Sequence, residues 1–154
     1  MDITIEIQGL DRIHNATEQV RQQIANELAK GMYASMKQVE GEAKRSITSG
    51  QKTGRVYKRR TVTHRASGPG EAPASDTGLL VNSIRGSVDK GALGQGSLEG
   101  TVTVGVSYGK LLEFGTSKMA ARPFLFPAFE RSKNWIKERL TKAVIDGVLK
   151  ASKK

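Results

Sequence analysis

The chain has 154 residues and a mass of 16.7 kDa, with 37% hydrophobic and 26% charged residues, a formal net charge of +10 and no cysteine. That length suits one hydrophobic core and excludes a large multi-domain enzyme, because independent domains usually run to about 100–150 residues. Without cysteine there are no disulfides, thiolate metal sites or thiol nucleophiles, and His14 and His64 are the only imidazoles.

Ile3, Ile5 and Ile7 alternate with Thr4, Glu6 and Gln8, which is the period of a half-buried strand over residues 1–9, ended by Gly9. From residue 10 to 48, Ile13, Val20, Ile24, Leu28, Met32, Met36, Val39, Ala43 and Ile47 recur mostly at steps of four and predict one long amphipathic helix. Asp11 is its expected N-cap, Ser49 and Gly50 its stop, and Gly31 or Gly41 a point for a kink. With roughly 36 residues in the helix between cap and stop, it would be about 54 Å long at 1.5 Å per residue, so part of it is expected to pack outside its own core. Residues 50–78 hold Gly50, Gly54, Gly68, Pro69, Gly70, Pro73 and Gly78, with only Val56, Tyr57 and Val62 as substantial apolar groups. This composition reads as a mobile loop or an extended hairpin arm in the isolated chain.

Strands are expected within residues 79–106. Leu79 to Val88 reads as a helical turn continuing into a strand, residues 91–96 as a turn, and Thr101 to Val106 as a strand with Val102, Val104 and Val106 on one face. Residues 107–126 read as a structural corner, in which Tyr108 to Phe114 is a short apolar helix or turn closed by Gly115. A last helix over residues 127–150 opens at Pro127 and carries Phe129, Ile136, Leu140, Val144 and Val148 as its apolar stripe. The order predicts a single α+β domain: a long N-terminal amphipathic helix and a C-terminal helix packed on a small antiparallel sheet, with an extended flexible basic arm.

The charge is uneven along the chain. Residues 1–42, 43–70, 71–130 and 131–154 carry net charges of −3, +8, −1 and +6. An excess of this kind points to nucleic acid, an anionic membrane or an acidic protein surface as partner. No stretch approaches the roughly 18 apolar residues of a membrane span, and Met1 to Thr4 has neither a basic nor an apolar leader region, so a soluble cytoplasmic or particle-borne protein without a membrane partner is expected.

Signals for chemistry are few. There is no phosphate-binding GxxxxGK[ST] loop, dinucleotide fingerprint or HExxH helix, and no metal or other cofactor is expected. Glu113, between Leu112 and Phe114, is the carboxylate best placed for acid–base chemistry if buried, but no titratable partner stands near it in sequence. Its expected role is structural, satisfied by Arg122 or a backbone amide, and a hydrolase built on Glu113 and His64 would need both in one cleft. Lys52, Arg55, Lys58, Arg59, Arg60 and Arg65 form the strongest electrostatic feature, with Tyr57 among them able to stack on a base. They would contact phosphates without reading sequence, or order against an acidic protein neighbour. Arg131, Lys133, Lys137, Arg139 and Lys142 read as the solvent face of the last helix, and Lys150, Lys153 and Lys154 as its frayed end.

The block from Tyr108 through Glu113-Phe114-Gly115-Thr116, Met119, Ala121-Arg122-Pro123-Phe124 and Pro127-Ala128 resembles the signature of a bacteriophage morphogenesis family. These are small neck or tail-completion proteins of long-tailed phages, the gene-product-ten family of lambdoid phages, grouped with the minor tail protein Z of phage lambda. Ser67-Gly68-Pro69-Gly70-Glu71-Ala72-Pro73, followed by Thr77-Gly78-Leu79-Leu80, is similar to a second stretch of that family. The resemblance implies a non-enzymatic virion protein of the head–tail interface, assembled in the host cytoplasm, that forms a ring, commonly six-membered. It also implies other neck, tail-terminator and tail-tube proteins as partners, with weak contact to genomic DNA in the channel. Within the corner, Gly115 would take a positive φ, Pro123 would fix the chain, Phe114, Phe124, Leu125 and Phe129 would close one apolar cluster, and Glu113 would bond to Arg122. The alternative is a sequence-independent nucleic-acid-binding protein that uses the basic arm.

Overall fold

The computed structural model describes residues 1–8, 18–89 and 97–152. Asp11, His14, the start of the expected first helix, the turn at 91–96, Lys153 and Lys154 lie outside the described residues. The fold is α+β, with strand β1 (Asp2–Ile7), helix α1 (Glu18–Thr48), hairpin strands β2 (Val56–Arg59) and β3 (Val62–Arg65), and a short helix α2 (Leu79–Ser83). There follow β4 (Ile84–Asp89), β5 (Leu98–Val104), α3 (Gly109–Phe114) and α4 (Leu125–Ser152). The main sheet is antiparallel with order β1-β5-β4, and β2-β3 is a separate two-stranded sheet.

Alternation decides the sheet's faces. Ile3, Ile5 and Ile7 of β1 are half-buried and Leu98, Val102 and Val104 of β5 buried, while Asp2, Thr4, Glu6, Glu99 and Thr103 face outward. Helix α1 covers the inner face. Every apolar position expected from Ile24 to Ile47 is buried, and the helix runs through Gly31 and Gly41 without interruption. Met32 and Met36 press on the sheet so closely that a Cβ at Gly100 would lie 2.7 Å from the Met32 side chain, and one at Gly86 2.8 Å from the Met36 carbonyl.

Helix α4 packs antiparallel to α1, with Glu42 near Arg131, Gly31 near Ala143, and Ile24 near Gly147. The approach is close. A Cβ at Gly147 would fall 2.7 Å from Ile24 Cα, so the helix–helix seam has no room for a side chain at that position. That corrects the expected stripe of α4. The buried line is Leu125, Ala128, Ser132, Ile136, Ala143 and Gly147, with Phe129 and Leu140 half-buried, while Val144 and Val148 are exposed. Lys150 and Lys30 both pair with the buried Glu27, at 2.9 and 2.8 Å, and tie the end of α4 to α1. Hydrogen bonds from Lys30 and then Lys150 hold the Glu27 carboxyl down to about 2.

Two boundaries near the site differ from the sequence reading. Strand β5 starts at Leu98 and ends at Val104, leaving Val106 in the following turn, where it packs partly buried on the core. Helix α4 opens at Leu125, two residues before Pro127, because a carboxylate from another element caps it. Of the two forms expected for the arm, the structure has the hairpin, and its base is fastened to the body.

Candidate assembly surface

Glu113 closes the short helix α3 and is buried, with 4% of its surface exposed. Its Oε2 accepts the N–H groups of Phe124 at 2.8 Å and Leu125 at 3.0 Å, and its Oε1 accepts that of Phe126 at 2.8 Å. These are the otherwise orphaned amides at the start of α4, and the next residue, Pro127, has no amide to satisfy. A negative charge at a helix N-terminus also gains from the macrodipole. Glu113 is therefore the helix cap of α4, supplied from a different element, and the backbone-amide half of its expected role is what the fold uses.

The expected bond between Glu113 and Arg122 is not formed. Arg122 instead donates from Nη1 to Ser67 Oγ at 3.0 Å, and its backbone N–H donates to Leu112 C=O at 2.7 Å. The physical reason is the occupancy of Glu113, whose two oxygens already hold three amides. Gly115 turns the chain after α3 with φ 75° and ψ −175°, and a Cβ there would lie 2.7 Å from both Ala121 N and Met119 O. Thr116 steadies the loop, donating its backbone N–H to Met119 C=O at 2.8 Å and accepting the Lys118 N–H on Oγ1 at 3.2 Å. Pro123 then delivers Phe124, which is fully buried with Leu125, to the core. Phe114 is not in that cluster: it is 67% exposed, since the turn at Gly115 points α3's last residue outward. Leu111, Phe126 and Leu79 are exposed as well, and Tyr108 is partly so.

The second resembling stretch folds onto the first. Gly70 N–H donates to Ala121 C=O at 2.9 Å, and Ser67, buried, takes the Arg122 bond. Glu71 accepts from the Thr53 hydroxyl and N–H and from the Gly68 N–H, which hold its carboxyl down to about 2 and close the base of the arm. Lys52 donates to the carbonyls of Ser46 and Ala72, both at 3.0 Å, and its burial lowers its pKa. Lys52 is thus an anchor of the arm and not one of its free cations.

Beyond that base the hairpin is exposed. Arg60 takes φ 54° in the two-residue turn, and Tyr57 stacks on His64 with ring centroids 5.8 Å apart. Arg59 pairs with Asp76, which also lies 3.4 Å from His64 Nε2. Arg55, Lys58, Arg60 and Arg65 are exposed and make no ion pair among the described residues. A cavity of about 320 Å³ separates hairpin from corner, lined among others by Tyr57, Arg59, Asp76, Leu79, Tyr108 and Arg122. Neither Glu113 nor His64 lines it, so these two do not meet in that cleft.

Among the described residues no group of three His, Asp or Glu side chains is placed to hold a metal, and no helix is long and apolar enough to cross a membrane. Periodicity alone misses Glu27, Glu40 and Glu71, the carboxylates that tie elements together. Their only sequence signal is an acidic residue within four positions of a lysine for Glu27 and Glu40, and none for Glu71. No family model, curated protein or solved structure matches this chain.

Proposed function

We propose that the protein is a non-enzymatic structural component of the head–tail interface of a long-tailed bacteriophage, forming a homo-oligomeric ring that joins or completes the tail for attachment to the DNA-filled head. One observation carries this reading: the residues that resemble the family signature are used for shape. Glu113, Gly115, Thr116, Arg122, Pro123 and Phe124 lock α3, the loop and α4 into one corner, and the Ser67–Gly70 stretch bonds to the same corner. Such a corner holds the basic hairpin and the exposed Leu111, Phe114 and Phe126 in fixed relation to α4. A ring needs two different faces on each subunit, and those exposed groups supply candidates. Its partners would be further copies of itself and other neck, tail-terminator and tail-tube proteins, with weak, salt-sensitive contact to DNA in the channel and no cofactor.

The test is negative-stain imaging of particles made with and without the gene. Filled heads beside detached or abnormal tails in the deletion, restored by supplying the protein, support the role; normal joined particles in the deletion overturn it. A second reading, sequence-independent nucleic-acid binding, is favoured by Arg55, Lys58, Arg60 and Arg65, unpaired among the described residues, around the stacked Tyr57. Duplex binding whose affinity falls with salt by several powers would support that reading, and its absence at low salt would remove it.

A further inference from the structure

The two edges of the main sheet are treated differently. On β4, the outward N–H of Gly86 donates to Glu40 Oε2 of α1 at 2.7 Å, so part of that edge is covered from within the chain. Strand β1 is the other edge. Val104 N–H donates to Met1 C=O at 3.0 Å, and with the register Ile3↔Val102, Ile5↔Gly100 and Ile7↔Leu98 the backbone groups of Ile3, Ile5 and Ile7 belong to the ladder with β5. The same alternation turns the N–H and C=O groups of Asp2, Thr4 and Glu6 away from β5, toward a strand that no described residue supplies. An open edge of this kind is a template for another chain unless something blunts it.

The hairpin has the converse deficiency. It consists of two strands of four residues, and a two-stranded hairpin alone is marginal in water. Ala66 N–H donates to Arg55 C=O at 3.0 Å, so Val56 and Lys58 on β2, and Thr63 and Arg65 on β3, turn their backbone groups outward. Its charge is positive throughout, with Lys58, Arg60 and Arg65 unpaired among the described residues. Among the described residues, Glu6 on the β1 edge has no ion pair and Asp2 has one ionic contact, a loose 3.9 Å to the chain's own amino group.

We infer that the β2–β3 hairpin of one copy adds to the β1 edge of a second copy, extending that copy's sheet, with Lys58, Arg60 and Arg65 meeting Asp2 and Glu6. The inference rests on the reading of the protein as a self-assembling ring subunit and names the contact. Main-chain hydrogen bonds supply the attraction, as in strand addition generally, and the opposite charges select orientation and partner. Donor and acceptor are different surfaces, so each copy gives one contact and receives one, which is the arrangement that closes a ring.

The test is sedimentation velocity of the full chain, with circular dichroism melts to follow folding. The set is wild type, Asp2→Lys with Glu6→Lys, Lys58→Glu with Arg60→Glu, an equimolar mixture of these two double variants, and Thr4→Pro. In the mixture every hairpin can again find an edge of opposite charge. Thr4 points its N–H outward, so proline there removes an intermolecular donor and no bond to β5. The expected result is an oligomer for wild type, self-association weaker by about tenfold or more for each charge variant with unchanged melting, recovery in the mixture, and loss again in Thr4→Pro. Wild-type assembly that persists in all variants overturns the contact while leaving the ring reading standing. A wild type that stays monomeric overturns both. Loss of duplex DNA binding in Lys58→Glu with Arg60→Glu, with self-association intact, assigns the hairpin to nucleic acid and overturns the contact.

Discussion

Replacing Glu113 by alanine should be the most damaging single change in the corner. The substitution leaves three amides at the start of α4 without an acceptor, those of Phe124 and Leu125 in a buried setting and that of Phe126 in a partly buried one. An unsatisfied buried donor costs about 1–3 kcal/mol, and losing the negative charge at the helix end costs about 0.5–1 kcal/mol more. Some of this returns because a buried carboxylate no longer has to be desolvated, so the net loss should be about 3–5 kcal/mol. Glutamine at this position keeps one acceptor oxygen but places an NH2 group against an N–H, so Glu113→Gln should cost about half as much. For a domain of this size the alanine loss corresponds to roughly 6–20 °C in Tm. Urea unfolding followed at 222 nm and by the fluorescence of Trp135 on α4 measures both. The glutamine variant, once folded at low temperature, should assemble normally, because the carboxylate's work is mechanical. An alanine variant within about 0.5 kcal/mol of wild type would refute the capping role, and a glutamine variant of normal stability that has lost function would point to chemistry at Glu113 instead.

Three further outcomes follow from the same geometry. Gly115→Ala should destabilise by about 2 kcal/mol or more, because φ 75° and the 2.7 Å approach to Ala121 N and Met119 O leave no room for a Cβ; equilibrium denaturation of the variant checks it. The glycines of α1 and α4 should respond with opposite signs: Gly41→Ala, with nothing within 4 Å, should gain up to about 1 kcal/mol, whereas Gly147→Ala should lose about 1–3 kcal/mol against Ile24, both read from urea midpoints. Glu40→Gln tests the pH dependence. Burial opposes ionisation of Glu40, but hydrogen bonds from Lys37, Lys44 and the Gly86 N–H outweigh it and hold the carboxyl down to about 2. A depressed folded-state pKa gives stability that is complete above the ordinary value of 4.5 and lost as pH falls toward 2. The gap in stability between wild type and Glu40→Gln should therefore be constant from pH 7 to 5 and close between pH 4.5 and 2; a gap that widens on acidification would contradict the assignment.

Elements announced by large apolar residues are legible in the sequence. The four-residue spacing from Ile24 to Ile47 specifies a helix face, and Ile3, Ile5 and Ile7 specify a strand face, because burial of bulky side chains dominates both. The stripe of α4 is legible only at Phe129, Ile136 and Leu140, and the rest is hidden for the converse reason. Much of its buried line is built from Ala128, Ser132, Ala143 and Gly147, the last two lying against α1, and smallness leaves no hydrophobic signal. Gly86 and Gly100 are hidden likewise, since only the position of Met36 and Met32 above the sheet explains them. In the corner, sequence points to Glu113 and offers two kinds of partner. Which one it takes depends on where α4 begins, eleven to thirteen residues downstream, and that is set by how the loop through Gly115 and Pro123 closes. Arg122 turns to Ser67, fifty-five residues upstream, a distance that no local pattern spans.

The place proposed for this chain, the junction between head and tail, can be tested on the particle itself. Gold labelling of purified particles carrying an epitope after Lys154 locates it directly. Label is expected at the single vertex where the tail meets the head, at the same place on particles with and without DNA. Label spread over the capsid or along the tail shaft, or particles that lack the protein altogether, would contradict it.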